Sequence, residues 1–403
     1  MKKLEKSVPV IRFKGFSDAW EQRKLRDIAN YRNGKAHEQV EDEDGKYTII
    51  NSKFISTNGK VQRYTNEQVE PIFDGEIAMV LSDLPNGKAL AKLFLVKEDG
   101  KYTLNQRIAG ITPNENIDPI FLNFRMNRNN YFLKFDSGVT QTNLSKSQVE
   151  NFIALYPTFD EQYKIGLFFT QLDDTIALHQ RKLDALKLMK KAFSQQIFPE
   201  NNRKKPKIRF TSFYEEWEQR KIGEYGYFYY GKSAPKWSVA QDATTPCVRY
   251  GELYTKFGPE IDIVHSYTNI DKSNLKFSSG NEVLVPRVGE NPLDFANCSW
   301  LSVSNVAIGE MISVYNTEQY PLFIAYYFRS KMKYEFAKRV EGGNVSNLYY
   351  SYLEDILISV PSIEEQKKIA EFLNKIDITI NLLQNKLGRI KELKKAYLQN
   401  MFI

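Results

Sequence analysis

Apolar side chains recur at steps of four and three residues along two stretches of the chain, 165–197 and 369–401. A repeat of 3.5 residues predicts a long helix with one apolar seam, as in a coiled coil. The polar positions between the seam residues are mostly charged, which predicts a solvated outer face. The predicted seam comprises Ile165, Phe169, Leu172, Ile176, Leu183, Leu186, Ile369, Leu373, Ile376, Ile380, Leu383 and Leu387.

The first helix is expected to cover residues 161–198, a length of about 57 Å at ~1.5 Å per residue. Two matching seams in one chain favour packing of the helices on each other, although each helix could instead pack on its own domain. Lys190 and Lys394 occupy equivalent seam positions. They are expected to extend toward solvent or to fix the register of the pair.

The chain contains two internal repeats. Residues 208–221 repeat residues 11–24, and residues 360–403 repeat residues 156–199 with 19 identities in 44 pairs. The segments between them, roughly 30–150 and 227–355, share only short echoes, Gly34-Lys35 with Gly231-Lys232 and Thr142-Asn143-Leu144 with Ser346-Asn347-Leu348. We call the repeated segments the frame and the two segments between them the middles. The chain therefore combines one repeated frame with two middles of different sequence.

The middles have the pattern of mixed α/β domains. Short apolar runs predict strands at 77–81, 93–96, 283–285 and 306–314, and amphipathic stretches predict a helix at 119–135 and another at 321–336. The predicted organisation is 1–155 as lead-in and first domain, 156–200 as first helix, 201–226 as linker and second lead-in, 227–355 as second domain, and 356–403 as second helix.

Composition and charge limit the classes of protein to which the chain can belong. The chain has 403 residues, 42% of them hydrophobic, no apolar run of ~20 residues, and a basic start without the apolar core of a signal peptide. Two cysteines, Cys247 and Cys298, exclude a disulfide framework. These features predict a soluble cytoplasmic protein. The net charge of +7 permits a nucleic-acid partner without requiring one. It divides into +10 on the repeated frame and −3 on the middles, which disfavours a protein that coats nucleic acid non-specifically.

Motifs for catalysis or metal binding are weak. Residues 226–233 fit the P-loop pattern, but their four variable positions are aromatic and Pro235 follows, so an aromatic strand ending in a turn is expected. The three histidines are far apart, no zinc-ligand spacing occurs, and neither a methyl-donor loop nor a nuclease cluster stands out. We expect no metal site and no catalytic residue.

Two dissimilar middles, each introduced by Trp-Glu-Gln-Arg-Lys (20–24 and 217–221) and followed by a heptad helix, resemble the specificity subunit of type I restriction–modification enzymes. The resemblance covers the whole chain. It implies an α+β fold: two target recognition domains separated by two long antiparallel coiled-coil helices in a pseudo-two-fold circular arrangement. Each domain would read one half of a bipartite, asymmetric DNA site.

The resemblance also implies partners. The helices would set the spacer and dock two methyltransferase subunits, and motor-nuclease subunits would join them. This chain would then be a non-catalytic subunit that binds double-stranded DNA. AdoMet, ATP and Mg²⁺ would be held by the partners, and no membrane would be involved.

Side-chain chemistry and predicted loop position select ten candidates for DNA contact. They are Lys35, Asn86, Lys88, Arg107, Asn143, Lys232, Lys236, Arg249, Arg287 and Asn291. The alternatives left open are a coiled-coil adaptor that binds only proteins, and a self-sufficient nucleotide hydrolase or nuclease.

Overall fold

The computed structural model describes residues 8–37, 39–85, 87–200, 203–240 and 242–402. The described residues of Met1–Gln180 and Lys386–Ile403 form one compact unit, and those of Arg181–Asn385 form another. Each unit takes residues from both long helices. No helix in the described ranges is both long and apolar enough to cross a membrane.

The first unit is built on an antiparallel sheet in the order β2-β10-β6-β8, beside a second sheet in the order β4-β3-β9-β5. Two short ribbons, β1-β12 and β11-β7, complete it. Its strands are β1 (Glu21–Lys24), β2 (Ala29–Asn33), β3 (Tyr47–Ile50), β4 (Tyr64–Thr65), β5 (Pro71–Ile72), β6 (Ile77–Val80), β7 (Ser82–Asp83), β8 (Leu93–Leu95), β9 (Tyr102–Leu104), β10 (Ile108–Pro113), β11 (Thr142–Asn143) and β12 (Ile153–Tyr156). Its short helices are α1 (Leu25–Ile28), α2 (Ser52–Ser56), α3 (Pro119–Met126), α4 (Asn130–Leu133) and α5 (Lys146–Glu150).

The second unit has a sheet in the order β14-β22-β18-β20-β16 and two three-stranded sheets, β17-β15-β21 and β19-β24-β23. Its strands are β13 (Glu218–Lys221), β14 (Gly226–Tyr230), β15 (Thr245–Val248), β16 (Glu260–Ile261), β17 (Ser266–Thr268), β18 (Glu282–Pro286), β19 (Val288–Gly289), β20 (Ser299–Leu301), β21 (Ala307–Ile308), β22 (Ile312–Thr317), β23 (Glu341–Gly342), β24 (Ser346–Asn347) and β25 (Leu357–Val360). Its short helices are α7 (Tyr250–Thr255), α8 (Pro321–Lys331) and α9 (Lys333–Ala337), with 3-10 turns at Ile222–Glu224, Lys236–Ser238, Lys272–Asn274, Pro292–Ala296 and Tyr350–Tyr352.

The two middles share one strand arrangement despite their different sequences. In the first, β10 lies between β2 and β6 and β3 pairs in parallel with β9. In the second, β22 lies between β14 and β18 and β15 pairs in parallel with β21. Alternating buried side chains on these strands, such as Ile77 and Met79 or Val283 and Val285, supply the cores.

Some predicted elements are shorter than the pattern suggested. The strand predicted at 306–314 is two strands, β21 and β22, interrupted at Gly309. The helix predicted at 119–135 is broken between α3 and α4, where Arg128 has a φ of +49° and its N–H donates to Ala91 O at 2.9 Å. The helix predicted at 321–336 is interrupted at Met332. Apolar periodicity continues across all three interruptions, so it does not reveal them.

The long helices are α6 (Phe159–Gln196) and α10 (Ile363–Met401). All twelve predicted seam side chains are buried or half-buried, whereas off-seam neighbours such as Leu178 and Leu382 are exposed. Within each unit the two helices run antiparallel. In the first unit Phe168 packs on Tyr397 at 5.1 Å between ring centroids, and in the second Phe193 packs on Phe372 at 5.1 Å.

The two seam lysines pair with aspartates of the opposite helix. Lys394 Nζ lies 2.5 Å from Asp173 Oδ1 in the first unit, and Lys190 Nζ lies 2.5 Å from Asp377 Oδ1 in the second. The two ion pairs are the same contact made twice, since both lysines and both aspartates are 204 residues apart. A polar pair at a defined seam position opposes any shift of one helix along the other.

The lead-in tryptophans are buried, and the strands after them hold the helix starts. Trp20 precedes β1, which pairs with β12 immediately before α6. Trp217 precedes β13, which pairs in the same way with β25 before α10. Each lead-in therefore reaches across its domain to the strand that introduces the following long helix.

A buried ion pair closes each of these connections. Arg12 donates from Nε and Nη2 to the two carboxylate oxygens of Glu161, both at 2.7 Å, and Glu161 has a side-chain exposure of 0%. Arg209 binds Glu365 in the same two-pronged way at 2.8 Å. The hydrogen-bonded carboxylates raise the pKa of both guanidinium groups.

The glutamine next to each glutamate fixes the start of a short helix. Gln162 accepts from the N–H of Asp118, the N-cap of α3, at 3.1 Å and donates to Pro157 O at 2.9 Å. Gln366 makes the equivalent bonds to Tyr320, before α8, and to Pro361. The repeated Glu-Gln dipeptide thus binds the lead-in, the domain and the long helix together.

Removal of the Glu161 carboxylate should destabilise the first unit strongly. Glu161→Ala leaves the mostly buried Arg12 guanidinium without its partner, so we expect a loss of about 3–5 kcal/mol in the free energy of unfolding. Urea denaturation followed by tryptophan fluorescence measures it.

Glu21→Ala is the matched control. It removes another Arg–Glu contact, to Arg23, but the Glu21 side chain is 69% exposed. We expect a cost of about 0–1 kcal/mol. Equal losses in the two variants would contradict a special role for the buried pair.

Candidate nucleic-acid interface

Five strand ends of the first domain meet at one edge of its sheets. Backbone hydrogen bonds of 2.8–3.0 Å join them: Gly34 N to Ile108 O, Lys35 N to Leu104 O, Asn105 N to Ile50 O, Leu81 N to Arg107 O, and Leu144 N to Leu81 O. We call the residues at these ends, 33–35, 50–52, 81–83, 104–108 and 142–144, the first strand-end edge. Because loops at such ends face outward from a rigid sheet, this edge is a suitable place for recognition.

The second domain has the same edge, joined by the same bonds. They run from Gly231 N to Ile312 O, Lys232 N to Ile308 O, Gly309 N to Val248 O, Arg287 N to Met311 O, and Leu348 N to Arg287 O, at 2.8–3.1 Å. Residues 230–232, 248–250, 287–289, 308–312 and 346–348 form the second strand-end edge. The matched bonds align the two domains position by position where their sequences do not.

Close backbone approach explains the repeated glycine of each edge. A Cβ atom at Gly34 would lie 2.1 Å from Asn105 O, and one at Gly231 would lie 2.1 Å from Gly309 O. Any side chain would collide with main chain there. The lysine that follows each glycine is placed at the same point of the edge in both domains.

The two lysines are exposed and only loosely held. Lys35 Nζ lies 3.2 Å from a carboxylate oxygen of Glu70, with 61% of the lysine side chain exposed. Lys232 Nζ donates to Ser273 O at 3.3 Å. Contacts of this kind are weak in water, so both ammonium groups are available to a phosphate.

The other candidates of the first domain are divided. Arg107 and Asn143 belong to the first strand-end edge and are exposed, with Asn143 opposite Ser82 in the β11–β7 pair. Lys88 is exposed on the loop after β7. Asn86 lies outside the described residues.

In the second domain, Arg249 and Arg287 belong to the edge, whereas Lys236 and Asn291 flank it. Lys236 is exposed in a 3-10 turn. Asn291 caps the turn Pro292–Ala296, because its Oδ1 accepts from Leu293 N and its Nδ2 donates to Asp294 at 3.0 Å. Its amide therefore has an intramolecular role.

Both edge arginines are held against the protein. The Arg287 guanidinium lies 4.6 Å from the ring centroid of Tyr230 and 5.7 Å from that of Tyr349. Arg249 lines a groove of about 570 Å³ together with Lys236 and Tyr250. Within the part of the chain that the structure describes, the buried Nε atoms of both arginines have no hydrogen-bond partner.

A buried carboxylate fixes the backbone at Arg249. Burial alone would raise the pKa of Glu252, but hydrogen bonds from Ser266, Lys256 and the Arg249 N–H outweigh it and hold the pKa below its usual value. Glu252 is therefore an anion at neutral pH. It positions the start of α7, and with it Arg249, at the mouth of the groove.

Sequence reasoning missed several edge positions. Asn51 and Leu81 correspond to Arg249 and Arg287, and Met311 corresponds to Arg107. Only Asn347, the counterpart of Asn143, had a signal, since it lies in the echo Ser346-Asn347-Leu348. The other three positions, Asn51, Leu81 and Met311, could not be found from sequence because they are brought to the edge by pairing between distant strands.

Residues 226–233 are not a phosphate-binding loop. Gly226–Tyr230 is strand β14, Ser233 and Ala234 both have positive φ, and the next helical turn begins at Lys236. The expected aromatic strand ending in a turn is therefore present. Among the described residues, no group of three or more His, Cys, Asp or Glu side chains could hold a metal ion.

Comparisons with known proteins agree on one family. A family model described as the type I restriction modification DNA specificity domain matches residues 17–188 and 214–392. The chain is 25% identical over 402 residues to the putative type I restriction enzyme MjaX specificity subunit of Methanocaldococcus jannaschii, covering 93% of this chain and 91% of that protein. It is 24% identical to the type I restriction enzyme MjaVIII specificity subunit of the same organism, covering 93% and 90%.

A solved structure has the same fold. The S subunit of the type I restriction–modification system from M. genitalium superimposes with a TM-score of 0.63 at 12% identity, covering 98% of this chain and 99% of that one. At this identity the likeness concerns the fold alone. It confirms the predicted fold class of mixed domains with long helices.

Adding one methyl group to either edge glycine should disrupt the edge. Gly231→Ala places a Cβ against Gly309 O, so we expect a cost of about 1–3 kcal/mol in the free energy of unfolding, with increased hydrogen exchange at residues 230–234 and 308–311. Gly251→Ala is the control, because it has open space around it within α7 and should be neutral or stabilising. Equal effects of the two substitutions would contradict the packing argument.

Proposed function

The chain belongs to the type I restriction–modification DNA specificity family, and from this we propose that each of its two domains reads one half of a bipartite, asymmetric DNA site through its strand-end edge. Membership establishes the coarse function, recognition of a DNA sequence for a restriction–modification complex.

The proposal rests on one observation: the two edges have the same pattern of backbone hydrogen bonds but differ in their side chains. The matched hydrogen bonds place Arg287 where the first domain has Leu81, and Arg249 where it has Asn51. Two readers of one shape with different chemistry at the same positions would select two different half-sites.

The two long helices are proposed to set the number of base pairs between the half-sites. Helix α6 is unbroken over 38 residues and α10 over 39. The repeated Lys–Asp pairs support a fixed register, because a slip of either helix would separate both pairs. Bases between the half-sites would then be spanned without being read.

The outward faces of the helices are proposed to dock two methyltransferase subunits. Exposed apolar residues recur at equivalent positions, Leu178 with Leu382 and Met189 with Leu393. Each pair is separated by 204 residues, as in the repeat itself. Two equivalent surfaces on one chain suit two copies of one partner.

Catalysis is assigned to the partners. Methylation of an adenine requires the base to leave the duplex and enter a methyltransferase pocket. We therefore propose that AdoMet is bound by the methyltransferase subunits, and ATP and Mg²⁺ by motor-nuclease subunits. This chain would supply sequence choice and orientation in a complex that acts on DNA in the cytoplasm.

Exchange of one domain should change one half of the recognised site. We expect that replacing residues 30–150 by the corresponding segment of another specificity subunit alters one half of the methylated motif, because the other edge is untouched. Methylome sequencing of a methylation-free host that expresses the hybrid with methyltransferase subunits measures this. Replacing residues 227–355 is the matched exchange and should alter the other half, whereas an unchanged motif in either hybrid would contradict the proposal.

Shortening both helices should change the gap, which is the number of base pairs that the complex tolerates between the half-sites. Deletion of residues 179–185 together with 382–388 removes one heptad from each helix and leaves both Lys–Asp pairs in place. The helix pair shortens by about 10 Å, which corresponds to about three base pairs. Methylation at the original gap should be lost, and any retained activity should occur at a shorter gap.

The control replaces the same positions by other heptads of equal length with apolar seam residues. It should keep the original gap. Methylation at the original gap after the deletion would contradict the proposed role of the helices.

A further inference from the structure

The positions of the two strand-end edges fall into two classes when the matched hydrogen bonds align them. Lys35 and Lys232 are the same residue at the same point of the backbone, and so are Asn143 and Asn347. Three other aligned positions differ in chemistry: Asn51 with Arg249, Leu81 with Arg287, and Arg107 with Met311.

We propose that the shared lysine and asparagine contact the DNA backbone in both half-sites, whereas the differing positions read bases, with Arg287 and Arg249 reading guanines in the second half-site. This division rests on the proposed function of the two domains and specifies which side chains perform it.

The shared positions have the properties of phosphate contacts. Contacts to phosphate position a protein on the duplex without sequence information, so two domains with different targets can use the same ones. Both lysines are exposed and follow a glycine whose backbone is fixed by packing. An ammonium group placed in this way serves as a point charge for any sequence.

Arg287 has the properties of a base reader. Its guanidinium is packed beside the Tyr230 and Tyr349 rings, which limits its rotation before DNA binds. A planar guanidinium donates two parallel hydrogen bonds to O6 and N7 of guanine, the most common specific contact in the major groove. Preorganisation lowers the entropic cost of forming that pair.

Arg249 supplies a second guanidinium at the second strand-end edge. Its backbone N–H is bound by Glu252 at 3.0 Å, so the residue leaves strand β15 in a fixed direction. The Nε atoms of Arg249 and Arg287 are buried and cannot reach DNA, so a base contact would be made by the terminal Nη groups. A DNA base edge presents acceptors of the kind that such groups bind.

The first domain places its arginine elsewhere. Arg107 immediately precedes β10, as Met311 precedes β22 in the second domain. Leu81 occupies the point at which the second domain has Arg287. Guanine contacts would therefore fall at different positions of the two half-sites. This gives a structural cause for an asymmetric site on two domains of one fold.

The test exchanges residues between aligned positions. Arg287→Leu and Arg249→Asn introduce the residues of the first domain, and Lys35→Ala and Lys232→Ala remove the shared charges. Lys333→Ala, an exposed lysine at the start of α9 that is not one of the edge residues, is the matched control. Each full-length variant is expressed with methyltransferase subunits in a methylation-free host, and the purified complexes are titrated with a duplex carrying the wild-type motif and with an unrelated duplex at several salt concentrations.

We expect Arg287→Leu and Arg249→Asn each to relax one base pair of the second half-site, with discrimination reduced by about 10- to 100-fold, and to leave the first half-site unchanged. Lys35→Ala and Lys232→Ala should leave the motif intact and weaken binding to both duplexes by the same factor. The slope of log affinity against log salt should fall by about one for each. Lys333→Ala should change none of these.

Two results would overturn the division into phosphate contacts and base readers. One is a motif altered by Lys232→Ala, and the other is a full motif, methylated at the normal level, in both arginine variants. If Arg287→Leu does not accumulate as folded protein, Arg287→Gln replaces it in the experiment. This variant should lose the preference for guanine at one position of the motif and favour adenine there. A motif that keeps guanine at that position would overturn the assignment of Arg287. The wild-type chain in the same experiment tests the proposed function separately, because a bipartite motif must appear before any variant is compared.

Discussion

The buried arginine–glutamate pair at the start of each long helix is the contact on which the rest of the fold depends. Arg12 and Glu161 are 149 residues apart, and Arg209 and Glu365 are 156 apart. Each pair therefore closes a loop that contains an entire domain. Since the entropic cost of closure grows only slowly with loop length, the content of the loop can change while the closure stays the same. This accounts for one repeated frame around two middles of unrelated sequence.

The long helices of the frame could be predicted from the sequence, whereas most positions of the strand-end edges could not. The reason is that the helices follow from a local pattern and the edges from contacts between distant strands. Helix α6 was expected at 161–198 and lies at Phe159–Gln196, and the seam followed from a local period of 3.5 residues. The edges are made by hydrogen bonds between strand ends, such as Leu81 with Leu144, that no local pattern reports. The breaks at Arg128 and Met332 were also missed, because an apolar face continues across both.

The candidate DNA residues show the same limit. Side-chain chemistry selected Arg249, Arg287 and Lys232, which the fold does bring to one edge, but it also selected Asn291, whose amide caps a turn. Leu81 and Met311 could not be selected, since an apolar residue has no signal as a reader. They became informative only as the counterparts of Arg287 and Arg107.

The charge distribution agrees with the proposed division of roles between the frame and the middles. Base reading needs a few preorganised donors, and the second middle can hold Arg249 and Arg287 while carrying a net charge of −2. Acidic side chains such as Glu252 contribute to the second strand-end edge, because they fix the backbone from which Arg249 extends. Non-specific attraction would be supplied mainly by the frame, with its charge of +10. In the proposed function, a weakly acidic reader on a basic frame would limit tight binding to the wrong sequence, since phosphate contacts alone would not hold the middle on DNA.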